Sequence, residues 1–106
     1  MYALEITREK DNSFAGEISS LTADVPFTAV PNKTKKQDNQ PDYLIYARSP
    51  RGKAIEIGAI WEKVGKESDK PYLLVNFRIN GKAVSANAFD VEGSDDLNVI
   101  LSDDNT

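Results

Sequence analysis

A chain of 106 residues, 40% hydrophobic and 28% charged, has room for one folded domain and enough apolar surface for a core without cross-links. It contains no cysteine and no histidine, which removes disulfide scaffolds, thiolate metal sites, cysteine nucleophiles, most zinc sites and the Ser-His-Asp relay. The net charge of −4 hides a basic middle, six cations against two acids over residues 31–53, and an end, 85–106, with six acids and no base.

Met1 to Lys10 carries Glu5, Arg8, Glu9 and Lys10 and no apolar run of signal-peptide length. Nowhere do 18 consecutive apolar residues occur, so no membrane-spanning helix is expected, and the cytoplasm is the simplest location. Residues 3–9 and 14–21 read as strands joined by a turn at Lys10-Asp11-Asn12-Ser13. Pro26, Pro31, Pro41, Pro50 and Pro71 each forbid an internal helical turn. The stretch 31–41 is polar and bounded by prolines, and is expected to be a mobile basic loop.

Asp42 to Ala47 is short and rich in β-formers. Over 55–62, Ile55, Ile57, Ala59 and Trp61 alternate with Glu56, Gly58, Ile60 and Glu62. Over 72–79, Leu73, Val75, Phe77 and Ile79 share a face, which predicts a core centred on Trp61, Ile55, Ile57, Val75 and Phe77. Asn80-Gly81 before Lys82-Ala83-Val84 predicts a tight hairpin, because a type I′ turn needs positive φ at both central residues. Asp95-Asp96-Leu97-Asn98 admits one short helical turn behind an acidic cap. The whole reads as a mostly β protein: a single small barrel or sandwich of about seven short antiparallel strands, OB-like or similar, over residues 1–101. Residues 102–106 read as a frayed acidic tail.

Several stretches resemble one bacterial family, domain-of-unknown-function family 736. They are Phe14-Ala15-Gly16-Glu17-Ile18 with Leu21, Val30-Pro31-Asn32, Pro41-Asp42-Tyr43-Leu44-Ile45-Tyr46, Glu56-Ile57-Gly58-Ala59-Ile60-Trp61-Glu62-Lys63, Tyr72-Leu73-Leu74-Val75 and Ala86-Asn87. They run in order over roughly residues 12–90. The resemblance implies a small, β-rich protein of the kind encoded on plasmids and mobile elements, and implies no activity.

No Walker A or Gly-x-Gly-x-x-Gly stretch occurs, and Asp90 to Asp96 lacks the carboxylate spacing of a calcium loop. The pairs Asp95-Asp96 and Asp103-Asp104 read as solvated surface, since general acid–base work needs a carboxyl displaced by burial or a close partner. The expectation is therefore a non-enzymatic binding protein without cofactor or metal. Lys33, Lys35, Lys36, Arg48, Arg51 and Lys53, with Tyr43 and Tyr46, supply the phosphate contacts and stacking rings of a single-stranded nucleic-acid binder. The alternative is a protein-binding accessory or inhibitor of a basic partner, such as a nuclease, acting through Asp90, Glu92, Asp95, Asp96, Asp103 and Asp104.

Overall fold

The computed structural model describes residues 2–65, 69–79 and 81–102. Among the described residues eight strands follow one another: β1 (Ala3–Arg8), β2 (Phe14–Ser19), β3 (Asp24–Pro31), β4 (Tyr43–Arg48), β5 (Ala54–Val64), β6 (Pro71–Ile79), β7 (Lys82–Val91) and β8 (Ser94–Leu101). Each pairs antiparallel with the next, and β8 returns to β1 to close a barrel in plain sequence order. Closure removes the free sheet edges that an open eight-stranded meander would expose.

The expected mostly β architecture is therefore present as a barrel, with one strand more than the sequence pattern suggested. Every link joins sequence neighbours, so the order is up-and-down instead of the five-stranded Greek key of an OB barrel. Among the described residues there is no helix, and the expected helical turn at Asp95–Asn98 is part of strand β8. An acidic cap has no helix to stabilise when the next apolar residues, Leu97, Val99 and Leu101, alternate at the strand period.

Alternation along each strand fills the barrel. Leu4, Ile6, Phe14, Ile18, Phe27, Ala29, Tyr43, Ile45, Ile60, Leu73, Val75, Phe77, Ala86 and Ala88 are buried together. Small and large residues are matched across the interior. A Cβ on Gly16 would collide with the Glu5 carbonyl and the Phe27 ring, and one on Gly58 with the Asn76 carbonyl and Phe77. Gly16 leaves the space that the Phe27 ring occupies, and Gly58 lets the β6 backbone at Asn76 and Phe77 pass close by.

Strand β5 corrects the expected core. Val75 and Phe77 are central, but Trp61 is only partly buried, Ile57 packs at the margin and Ile55 is 49% exposed. The inward residues of β5 are Gly58 and Ile60, whose partners Ile45, Tyr43, Phe77 and Val75 are all buried. A register shift opposite Ile45/Tyr46 leaves Ile57 as the extra residue and reverses the alternation below it. Both faces of the 55–62 pattern carried apolar residues, so period alone did not say which was inside. Trp61 is paired with outward-facing Leu74 and donates its indole N–H to the Asn39 carbonyl at 3.1 Å.

Because all pairing is between neighbours, the connections fall at two ends. The β2–β3, β4–β5 and β6–β7 connections lie at a short-turn end, and the other four, including residues 32–42, lie at a long-loop end. Gly81 has φ +79° and Ile79 pairs with Lys82, as a tight β6–β7 hairpin requires; Asn80 lies outside the described residues.

Candidate functional site: the barrel mouth and the outer face of β5–β8

The loop between β3 and β4 is held at several points. Asn32 donates from Nδ2 to the Pro41 carbonyl at 3.0 Å and accepts at Oδ1 from the Thr34 amide and hydroxyl. Gln40 Oε1 accepts from the Lys36 and Gln37 amides. Asp42 binds the Lys35 ammonium and accepts the Glu62 amide at 2.8 Å. Burial pushes the Asp42 carboxyl up, but the Lys35 contact, the Glu62 N–H and the Lys63 charge outweigh it and leave the group below its ordinary value of 3.8.

The six cations proposed from sequence do not converge. Lys33, Lys35 and Lys36 sit at the long-loop end, with Lys35 committed to Asp42, whereas Arg48, Arg51 and Lys53 sit at the short-turn end. The β4–β5 hairpin does carry Arg51 and Lys53 exposed at its tip, and Arg48 donates to the Gly52 carbonyl at 2.7 Å within it. Arg78 and Lys82, at the neighbouring β6–β7 hairpin, lie at the same end and were not singled out from sequence.

The two tyrosines part as well. Tyr46 lies partly exposed on the outer face between Thr28 and Glu56. Tyr43 is inside the barrel, edge-on to Phe14 with ring centroids 4.9 Å apart, so it offers no face on which a base could stack. Tyr43 pairs with Pro31 and Ile60, and its inward register follows from alternation with buried Ile45 and Ala47.

The acids gather better than the bases. Glu92 is exposed in the β7–β8 turn and Asp95 beside it on β8. Asp96 accepts from the Thr7 hydroxyl at 2.7 Å, and Asp90 pairs with Arg8 at 2.7 Å. Asp103 and Asp104 lie outside the described residues.

Two features were not read from the sequence. The first is a recess of about 290 Å³ at the long-loop mouth, lined by Arg8, Glu62, Pro71, Tyr72, Leu73, Ala88 and Asp90. Its charged residues continue inward registers one step beyond the core: Arg8 after Leu4 and Ile6, Glu62 after Ile60, Asp90 after Ala86 and Ala88. That continuation is the signal a strand-parity reading would have used. The Arg8 guanidinium stands 5.0 Å from the Phe14 ring centre while paired with Asp90. Burial pushes the Tyr43 hydroxyl above its ordinary value, and the Glu62 carboxylate adds to the push by its charge and as a hydrogen-bond acceptor.

The second feature is an apolar band on the outside. Registers align Trp61, Leu74, Asn87 and Ile100 across β5–β8, and beside them lie the pairs Lys63–Tyr72 and Phe89–Asn98, joined by a Tyr72–Phe89 ring contact. Ile100 is 55% exposed, and the Tyr72 and Phe89 rings lie 5.8 Å apart.

The fold and these surfaces define a small up-and-down barrel with a charged mouth and an aromatic outer face. The family model for a protein of unknown function (DUF736) matches residues 4–103, and the chain belongs to that family. The match takes in β1 and β8, which lie beyond the stretches that carried the resemblance in sequence. No curated protein and no solved structure matches the chain.

Proposed function

We propose that the chain is a non-enzymatic binding module that docks a positively charged protein on the outer face of β5–β8, beside the β7–β8 turn. The observation that carries this reading is the row Trp61, Leu74 and Ile100 with Tyr72 and Phe89, on strands whose β7–β8 turn and its exit carry exposed Glu92 and Asp95. Aromatic and aliphatic anchors rimmed by charge are the usual anatomy of a protein interface. Carboxylates at its margin favour a basic partner and speed its approach.

The experiment compares three baits in an extract of the source cells: the native chain, Ile100→Asp, and Glu92→Lys with Asp95→Lys. Circular dichroism first establishes that all three fold alike. A basic protein held by the native chain should be lost from both variants. Equal capture by all three removes the reading.

A second reading keeps nucleic acid but moves it. Arg51, Lys53, Arg78 and Lys82 lie on two adjacent hairpins at the short-turn end, with Tyr46 on the outer face nearby. Anisotropy of a labelled single strand at low salt tests it: binding that survives the Ile100→Asp change and is lost in Arg51→Glu with Lys53→Glu would transfer the function there.

A further inference from the structure

We propose that the recess at the long-loop mouth receives one cationic side chain, a lysine or arginine, of the docked protein; this deepens the protein-docking reading and rests on it.

The electrostatics select the sign. Three charged residues line the recess, Arg8, Glu62 and Asp90, leaving one negative charge in excess. Arg8 is already occupied on two sides, by the Asp90 carboxylate at 2.7 Å and the Phe14 ring at 5.0 Å. An incoming anion would find that guanidinium neutralised and two carboxylates facing it. Glu62 has the Tyr43 hydroxyl as a neighbour but forms no ion pair among the described residues. A cation entering between Glu62 and Asp90 supplies the missing charge, and a neutral apolar group would strip water from the Glu62 carboxylate without compensation.

Size and walls select the kind of cation. At about 290 Å³ the recess lies at or below the lower bound of small-molecule sites, roughly 300–1,000 Å³, so it suits a side chain better than a cofactor. Leu73, Ala88 and Pro71 provide apolar walls for a methylene stem. Tyr72 also belongs to the outer aromatic row through Phe89. The recess and the docking face therefore adjoin at Tyr72, so one partner can reach both.

The probes are the capped tripeptides acetyl-Gly-Lys-Gly-amide and acetyl-Gly-Arg-Gly-amide. Their norleucine and glutamate counterparts are controls. Each is titrated into the 15N-labelled full chain at low salt and followed by amide shifts. The cationic peptides should produce saturable millimolar shifts at Arg8, Leu73, Ala88 and Asp90. The norleucine and glutamate peptides should bind up to about fivefold more weakly or not at all, one lost charge contact of this exposure being worth up to that factor. Glu62→Gln, with a dispersed spectrum that reports a folded barrel, should weaken the lysine peptide by a similar factor. Equal shifts from lysine and norleucine peptides, no saturation, or undiminished binding to Glu62→Gln would each overturn the proposal. Ile100→Asp separates the two ideas, because it lies outside the recess. If the lysine peptide fails while Ile100→Asp still releases the captured protein, the recess assignment falls and the docking face stands. If the peptide binds and the captured protein is indifferent to Ile100→Asp, the docking face falls instead.

Discussion

Gly58 shows how much one missing side chain contributes. Its inward position abuts the Asn76 carbonyl and Phe77, so a methyl group has no place to go. Gly58→Ala should lower stability by about 2 kcal/mol, the usual cost of overpacking a closed interior, read from the urea midpoint. Trp61→Ala should cost less than the roughly 3–5 kcal/mol of a fully buried aromatic, because its ring lies on the outside. Two titrations follow from the local electrostatics. Asp42 has a lowered carboxyl, so its contribution is complete above the ordinary value of 3.8 and is lost as the pH falls through the folded value. Asp42→Asn should therefore flatten the acid limb of the stability curve. Tyr43 has a raised hydroxyl, so its contribution is complete below its ordinary value of 10.0 and is lost as the pH rises through the folded value. Tyr43→Phe should remove that alkaline decline, and tyrosinate absorbance of the native chain should show one ring titrating late.

At the level of elements, the hairpin joining β6 and β7 gives the sharpest test. Gly81 holds φ +79°, and Gly81→Val should destabilise the barrel by more than about 1 kcal/mol, because a β-branched residue resists that conformation. This turn was legible in the sequence, as were β1, β2, β4, β5 and β6, since turn residues and period-2 patterning agree there. Strand β3 was harder to see. It contains Pro26 and ends at Pro31, residues that argue against a paired strand, yet it pairs with β2 on one side and β4 on the other. Strand β8 was masked by its acids: Asp95 and Asp96 read as surface and a cap, while Leu97, Val99 and Leu101 carried the inward face. The face of β5 was illegible for a third reason. Its two sides are nearly equal in hydrophobicity, and closure around Phe77 decided between them.

For the molecule as a whole, pairing order decides what sequence position cannot. Residues 31–53 look like one basic segment, but an antiparallel strand carries Arg48 to the opposite end from Lys35. The mouth, by contrast, draws Arg8, Glu62 and Asp90 together from β1, β5 and β7. Convergence of this kind depends on strand register around the barrel, which no linear motif records. Separation of the two basic clusters has a measurable form. Lys33→Glu with Lys36→Glu, and Arg51→Glu with Lys53→Glu, should each change stability by no more than about 0.5 kcal/mol, and the combined variant should be additive within a similar margin. Strong coupling in urea melts would show that the two ends communicate.

The closure of β1 on β8 bears on how the chain reaches this state. Seven pairings join strands adjacent in sequence, whereas the eighth has one register pair, Thr7 with Asp96, spanning 89 residues. Local hairpins close small loops, and the long loop must wait until most of the others are in place. The transition state for folding should therefore contain the meander and lack the seam. Thr7→Val keeps the β-branched shape and removes the hydroxyl that Asp96 accepts, a loss of about 1 kcal/mol. In a chevron plot the unfolding arm should rise about fivefold while the folding arm stays where it is. A slower folding arm would instead make this closure an early event, with the meander condensing around it.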